Sequence, residues 1–263
     1  MNVEALISAN RKLLAKRWTL RGLNPKKFKS GDIAPPPAEG FIRGYHLLKV
    51  NDGIDDIKQA HLKVSRFSDL NDPFELLALN FHEPSTRKLV RKHKSDQDSN
   101  TGLLCFSKNW KHPLLWSHYA EKHRGLALGF DVRGSRIEDV TYCDKRIRAE
   151  LHTHCGDPQQ IPPDLQKLLR VTKARCWEYE EEVRLIVPLG KAKWNGKFHF
   201  WSFDDDLRLV EVIIGPECTK SVSTIEALTE PHVYVSKARL AWRSFTVTPN
   251  GNHLSSNLQP ASS

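Results

Sequence analysis

The chain has 263 residues, 39% of them hydrophobic and 27% charged, which is enough apolar material for a full core without staples and excludes disorder of the whole. No apolar run approaches the roughly 20 residues of a membrane span, and the N-terminal stretch lacks the apolar block of a signal peptide. Five cysteines with no C-x-x-C pair suit the thiols of a reducing compartment, so a cytoplasmic protein that makes no use of a membrane is expected.

The net charge is +9, and most of it sits at the front. Residues 1–35 carry eight basic side chains against Glu4 and Asp32. Val3, Leu6, Ile7, Leu13, Leu14 and Trp18 recur there at helical spacing, predicting a basic amphipathic helix over 1–23. Such an arm docks through its apolar stripe or contacts phosphates through Arg11, Lys12, Lys16 and Arg17. A proline-rich linker, 24–40, follows, and a single domain is expected over 41–249.

Within that domain, Phe41 to Leu48 reads as a strand, Asp52 to Ala60 as a short helix and His61 to Ser65 as a second strand. Ser85 to Asn100 is polar and reads as a surface insertion. Gly102 to Ser107 is a buried strand, and Pro113 opens a helix running to about His123 and stopped by Gly125. Leu126, Leu128 and Phe130 alternate in the next strand. Arg133 to Pro163 reads as irregular, and Asp164 to Lys173 as helix. Strands are predicted at Trp177–Pro188, Leu207–Gly215, His232–Val235 and Ser244–Thr248, with a disordered tail over 250–263. Strands with short interspersed helices and no regular βαβ alternation indicate an α+β fold on a mixed or antiparallel sheet.

Three clusters carry candidate chemistry. On a strand, Glu178, Glu180, Glu182 and Arg184 share one face. They are either a surface strand whose acids pair with neighbouring cations, or a pair of carboxylates directed into a cleft to stabilise a cationic transition state. Tyr45-His46 ends the first strand, where an aromatic and a histidine can stack on and hydrogen-bond a nucleoside or simply be satisfied within the fold. Trp116-Ser117-His118-Tyr119 lacks a nucleophile elbow, and its aromatics read as core. His152-x-His154-Cys155, with Cys143 upstream, lacks the spacing of a zinc site, so no metal is expected. Neither a P-loop nor a dinucleotide-binding glycine motif occurs.

Taken in order, Tyr45-His46, Asn71-Asp72-Pro73-Phe74-Glu75, Cys105-Phe106-Ser107, Leu115-Trp116-Ser117-His118-Tyr119-Ala120 and Trp177-x-Tyr179-Glu180-x-Glu182-x-Arg184 resemble the bacterial family catalogued as domain of unknown function 2971. More distantly, a histidine on a first strand, a serine and an aromatic at the end of a second, and a late glutamate resemble the ADP-ribosyltransferases. That resemblance implies that NAD is the substrate. His46 would hold its ribose, Ser65 or Phe67 would meet nicotinamide, and Glu182 or Glu180 would stabilise the oxocarbenium-like transition state, with Tyr45 beside His46 as a further cofactor-binding candidate. It implies an NAD-cleaving toxin or antiviral effector passing ADP-ribose to a nucleic acid, a protein or water. The alternatives are a non-catalytic nucleic-acid-binding subunit of a defence system and a nuclease whose carboxylates hold Mg²⁺.

Overall fold

The computed structural model describes residues 34–80, 84–147 and 161–254. The basic arm with Arg11, Lys12, Lys16 and Arg17, the first part of the linker, the His152, His154 and Cys155 group, and residues beyond Leu254 lie outside them.

The described chain forms the expected α+β fold. Its main sheet has eight strands in the order β13-β12-β11-β4-β1-β3-β8-β5. These are β1 (Phe41–Leu48), β3 (Thr101–Ser107), β4 (Leu126–Arg133), β5 (Ile137–Asp139), β8 (Glu182–Pro188), β11 (Leu207–Ile214), β12 (Tyr234–Leu240) and β13 (Val247–Leu254). Neighbours are antiparallel except β11 and β12, which run parallel. A second sheet joins β2 (His61–Val64), β10 (His199–Ser202) and β9 (Lys193–Trp194) in that order, and β6 (Thr141–Cys143) pairs in parallel with β7 (Thr172–Ala174). The helices are α1 (Val50–Gln59), α2 (Pro84–Asn100), α3 (Pro113–Tyr119), α4 (Pro163–Val171) and α5 (Val222–Glu226). Among the described residues no helix is long and apolar enough to cross a membrane.

Alternation along the central strands sends side chains into two cores. Tyr45 and Leu47 of β1 pack with Trp110, Leu115 and Trp116 around α3. Leu48 packs with Leu104, Phe106, Leu126, Leu128 and Val183 in the larger core. A third cluster gathers Phe67, Leu76, Leu103 and Leu169 beneath α4.

The structure departs from the periodicity reading at several points. Residues 84–100, read as an insertion, are helix α2. Its inward stripe is little more than Val90 and His93, both buried, too few apolar positions to register as periodicity. Asp98 anchors it by accepting from the Ser68 backbone N–H (2.7 Å) and hydroxyl (2.9 Å). The stretch read as irregular contains β5 and β6, β13 continues to Leu254, and β9 and β10 were not predicted. Helix α4 stops at Val171 because the chain turns extended at Thr172, whose hydroxyl donates to the Leu168 carbonyl at 2.7 Å. Lys173 thereby moves from a helix end into β7.

The turn after α3 carries unusual backbone. Glu121, Lys122 and His123 all have positive φ (49°, 54° and 70°). Gly125 follows, where a Cβ would lie 2.1 Å from the Leu48 carbonyl oxygen and 2.8 Å from the Ala120 backbone. Both neighbours are main chain, so neither can move aside cheaply. Gly125→Ala is expected to destabilise the fold by about 3 kcal/mol, or to prevent folding outright, measured by urea or thermal unfolding. Arg124→Ala, an exposed neighbour, should leave the midpoint within about 0.5 kcal/mol.

Candidate active-site cleft

Strand β1 pairs with β4 along all eight of its residues but meets β3 only at Tyr45 opposite Ser107. The sheet is therefore split beyond that point. His46 sits at the split, where its Nδ1 lies 2.8 Å from the Cys105 carbonyl oxygen. A carbonyl only accepts, so Nδ1 carries the proton. Burial lowers the His46 pKa, which makes the ring neutral at pH 7 and leaves Nε2 an acceptor. Beside this split lies a cleft of about 280 Å³ lined by Tyr45, His46, Ser65, Asn71, Cys105, His118, Tyr119, Lys173, Glu180 and Glu182.

The part of the lining formed by Lys173, Glu180 and Glu182 is backed by a buried charge network. Arg184, fully buried, uses all five of its N–H donors. Nη1 and Nη2 grip the Glu75 carboxylate bidentately (2.8 and 2.6 Å), Nη1 also reaches the Arg170 carbonyl (2.6 Å), and Nε and Nη2 donate to Glu182 (2.8 and 3.1 Å). Lys173 donates to Glu180 (2.5 Å) and Glu182 (3.0 Å) and lies 3.9 Å from Glu75. The Trp177 ring sits 4.9 Å from its ammonium. Register brings these groups together: Tyr142 of β6 stands opposite Lys173 of β7, and its phenol oxygen accepts the Glu182 N–H at 2.8 Å.

Trp177 to Glu181 is not strand, contrary to the alternation reading. Arg175–Glu180 is a 3-10 turn, Glu181 takes a left-handed conformation (φ 44°), and β8 begins at Glu182. The bend separates the three acids expected on one face. Glu178 turns to Arg175 at the surface (3.4 Å), while Glu180 and Glu182 converge on Lys173.

The two remaining carboxylates differ in character. Glu182 is fully buried, a cost that the charges and hydrogen bonds of Arg184 and Lys173 more than offset, so its pKa falls to about 2. Glu180 moves the other way. Burial raises its pKa, and repulsion from Glu182 adds to this against the pull of Lys173. Its Oε1 accepts the Tyr119 hydroxyl. Cys105 also faces the cleft, but burial and the nearby Glu182 push its thiol well up, leaving it protonated and a poor nucleophile.

The cleft thus gathers Tyr45, His46, Ser65, Glu180 and Glu182. It does not include Phe67, which is buried in the third core against Leu76 and Leu103. Tyr45 is largely committed to packing on Trp110, with its hydroxyl donating to Glu211 at 3.3 Å. Ser65 bridges β2 to β3 through two backbone hydrogen bonds with Leu103 (3.0 and 2.8 Å). Trp116 is core as expected, but Tyr119 and His118 from the same helix reach the cleft. Lys173 was missed altogether, since a lysine at a predicted helix end carries no sequence mark of burial. No protein-family model matches the chain, and no curated protein or solved structure does so.

The opposite pKa directions give opposite stability effects. Glu182 adds stability that is complete above about pH 5 and is lost as the pH falls toward its folded pKa of about 2. Glu182→Gln should therefore cost about 3 kcal/mol at pH 7, with the deficit shrinking in melts taken toward pH 3. Glu180, whose folded pKa is raised, loses stability as the pH climbs from 4.5 through that value. Glu180→Gln should leave the melting temperature at pH 7 unchanged or higher, measured side by side with Glu182→Gln.

Proposed function

We propose that the cleft breaks the N-glycosidic bond between nicotinamide and ribose in NAD, in the manner of the ADP-ribosyltransferases that the order of its residues resembles. One observation carries this reading. Glu180 and Glu182 line the cleft with a single cation, Lys173, and Glu75 and Arg184 pair with each other behind them. With all five ionised, a buried net charge of −1 faces the substrate. Fixed negative charge in a desolvated wall is worth most where positive charge develops, as it does on the ribose when nicotinamide leaves.

The charge states divide the roles. Glu182 is clamped by Arg184 and Lys173, so its charge is spent inside the protein and it serves to position Lys173. Glu180 is the carboxylate in excess. Its raised pKa and single lysine partner leave more of its charge for the substrate, and it takes the electrostatic role. Neutral His46, with Nε2 as acceptor, suits a ribose hydroxyl. A volume of about 280 Å³ suits the nicotinamide riboside end of the molecule, with the remainder lying outside the cleft mouth. The Mg²⁺-nuclease alternative is less well served, because Lys173 and Arg184 already occupy the carboxylates a metal would need.

Nicotinamide release by the purified full-length chain tests the reading. Glu180→Gln should lower kcat about a hundredfold or more with little change in KM. His46→Ala should raise KM and lower the rate together. Wild-type kcat should rise with pH through an apparent pKa above 4.5 as Glu180 ionises, and Glu180→Gln should lack that limb. Wild-type protein that neither binds NAD nor releases nicotinamide would overturn the proposal.

A further inference from the structure

The small sheet β2-β10-β9 has one inward and one outward face. Leu62 and Val64 are buried, and Trp201 packs against the main core. By alternation and register, the opposite face carries Phe200 with Lys63 directly across on β2 and Lys193 directly across on β9. His61 shares this face and stacks on Phe200, ring centroids 4.2 Å apart at 26°. Phe198, two residues before Phe200, lies beneath the Lys63 ammonium (4.0 Å) and near that of Lys197 (5.0 Å). The three lysines are exposed and the three rings are half-buried.

The hairpin that presents this face is held in shape. Gly196 has φ +93°, and the Asn195 side-chain oxygen accepts from the Lys197 and Phe198 N–H groups (3.0 and 2.8 Å). The charge is one-signed: residues 189–202 contain Lys191, Lys193 and Lys197 and no acid. The acidic run after β10 is turned elsewhere, with Asp204 and Asp206 paired to Arg136 and Asp206 also to Arg133. At the His61 end, Asp56 lies 3.6 Å from the imidazole, but burial and its neighbours Asp52 and Asp55 raise its pKa to about 7. It is therefore only partly ionised near neutral pH, and together with the exposed Asp55 it offsets part of the positive charge at the His61 end only.

We infer that the outward face of β2-β10-β9 binds single-stranded nucleic acid, with Phe198, Phe200 and His61 as the stacking surface and Lys63, Lys193 and Lys197 along the phosphates. A row of aromatic faces between lysines is the arrangement that accepts successive bases without reading their sequence. A strand face meant only for solvent would carry polar side chains at 198 and 200. A flat face of half-buried rings is also poorly shaped for insertion into a bilayer, for which aromatic tips must project. The inference stands on residues separate from the cleft, so it survives or fails independently of NAD cleavage.

The test is fluorescence anisotropy of labelled oligothymidylate and oligouridylate, each of about 15 nucleotides, with the full chain over a salt series. Wild type should bind both. Lys63→Gln/Lys193→Gln/Lys197→Gln should bind at least about tenfold more weakly near 0.1 M salt. Its log–log salt slope should be shallower by about 2, since each single-strand phosphate contact contributes about 0.7. Phe200→Ala should weaken binding about fivefold or more, and Phe200→Tyr should restore it. These surface variants should melt like wild type and release nicotinamide at the wild-type rate. No binding by wild type would overturn the inference. So would unchanged affinity and slope in the triple variant, which would place nucleic acid elsewhere. Binding to anionic phospholipid vesicles, with no oligonucleotide binding, that is lost in the same variants would assign the face to membranes instead.

Discussion

The Arg184 guanidinium holds together parts of the chain that are far apart in sequence. It grips Glu75, 109 residues earlier, and Glu182 on its own strand, and it stops the Arg170 carbonyl at the end of α4. A fully buried cation is tolerable only when every donor is met, and here every donor is. Removing any partner would leave a charge stranded in the core. The cleft wall is therefore fixed before any ligand arrives, and the groups on it need no reorganisation to meet one.

That interaction also explains why two distant strings of sequence belong together. Asn71-Asp72-Pro73-Phe74-Glu75 is a turn whose Asp72 carboxylate accepts the Phe74 N–H at 2.9 Å and whose Glu75 is driven inward. Trp177-x-Tyr179-Glu180-x-Glu182-x-Arg184 supplies the groups that meet it. Trp177 covers the Lys173 ammonium, Tyr179 pairs with His118 at 2.8 Å, and Glu180, Glu182 and Arg184 complete the network. Tyr119 of α3 donates its hydroxyl to Glu180, and Asn71 of the first string hydrogen-bonds Tyr119. Each string is one half of a single electrostatic unit.

The division between Glu180 and Glu182 follows from the bend at Glu181. Had the chain continued as strand from Trp177, the acids would have lain in a row on one face. The left-handed residue instead folds the 3-10 turn back on β8, so one buried carboxylate is enclosed by two cations while the other meets Lys173 and a tyrosine hydroxyl. Two chemically identical side chains two residues apart thereby acquire opposite pKa directions, set by their different surroundings.

Much of this was legible in the linear chain. Alternation placed β1, β3, β4 and β11 to within a residue or so because those strands are long and buried, and Pro113 and Gly125 marked the ends of the α3 region because their backbone constraints are local. His46 and the late glutamates Glu180 and Glu182 line one cleft, a juxtaposition that only the fold brings about. Only the tertiary structure decided the rest. Helix α2 is held by Asp98 and two buried residues, β9 and β10 are defined by partners distant in sequence, and Phe67 is drawn into a core that forms only when α4 arrives. Lys173 is the clearest case. Nothing local distinguishes it from the chain's other lysines, and its burial is set by three carboxylates that converge from Glu75, Glu180 and Glu182, an electrostatic fact that exists only once the chain is folded.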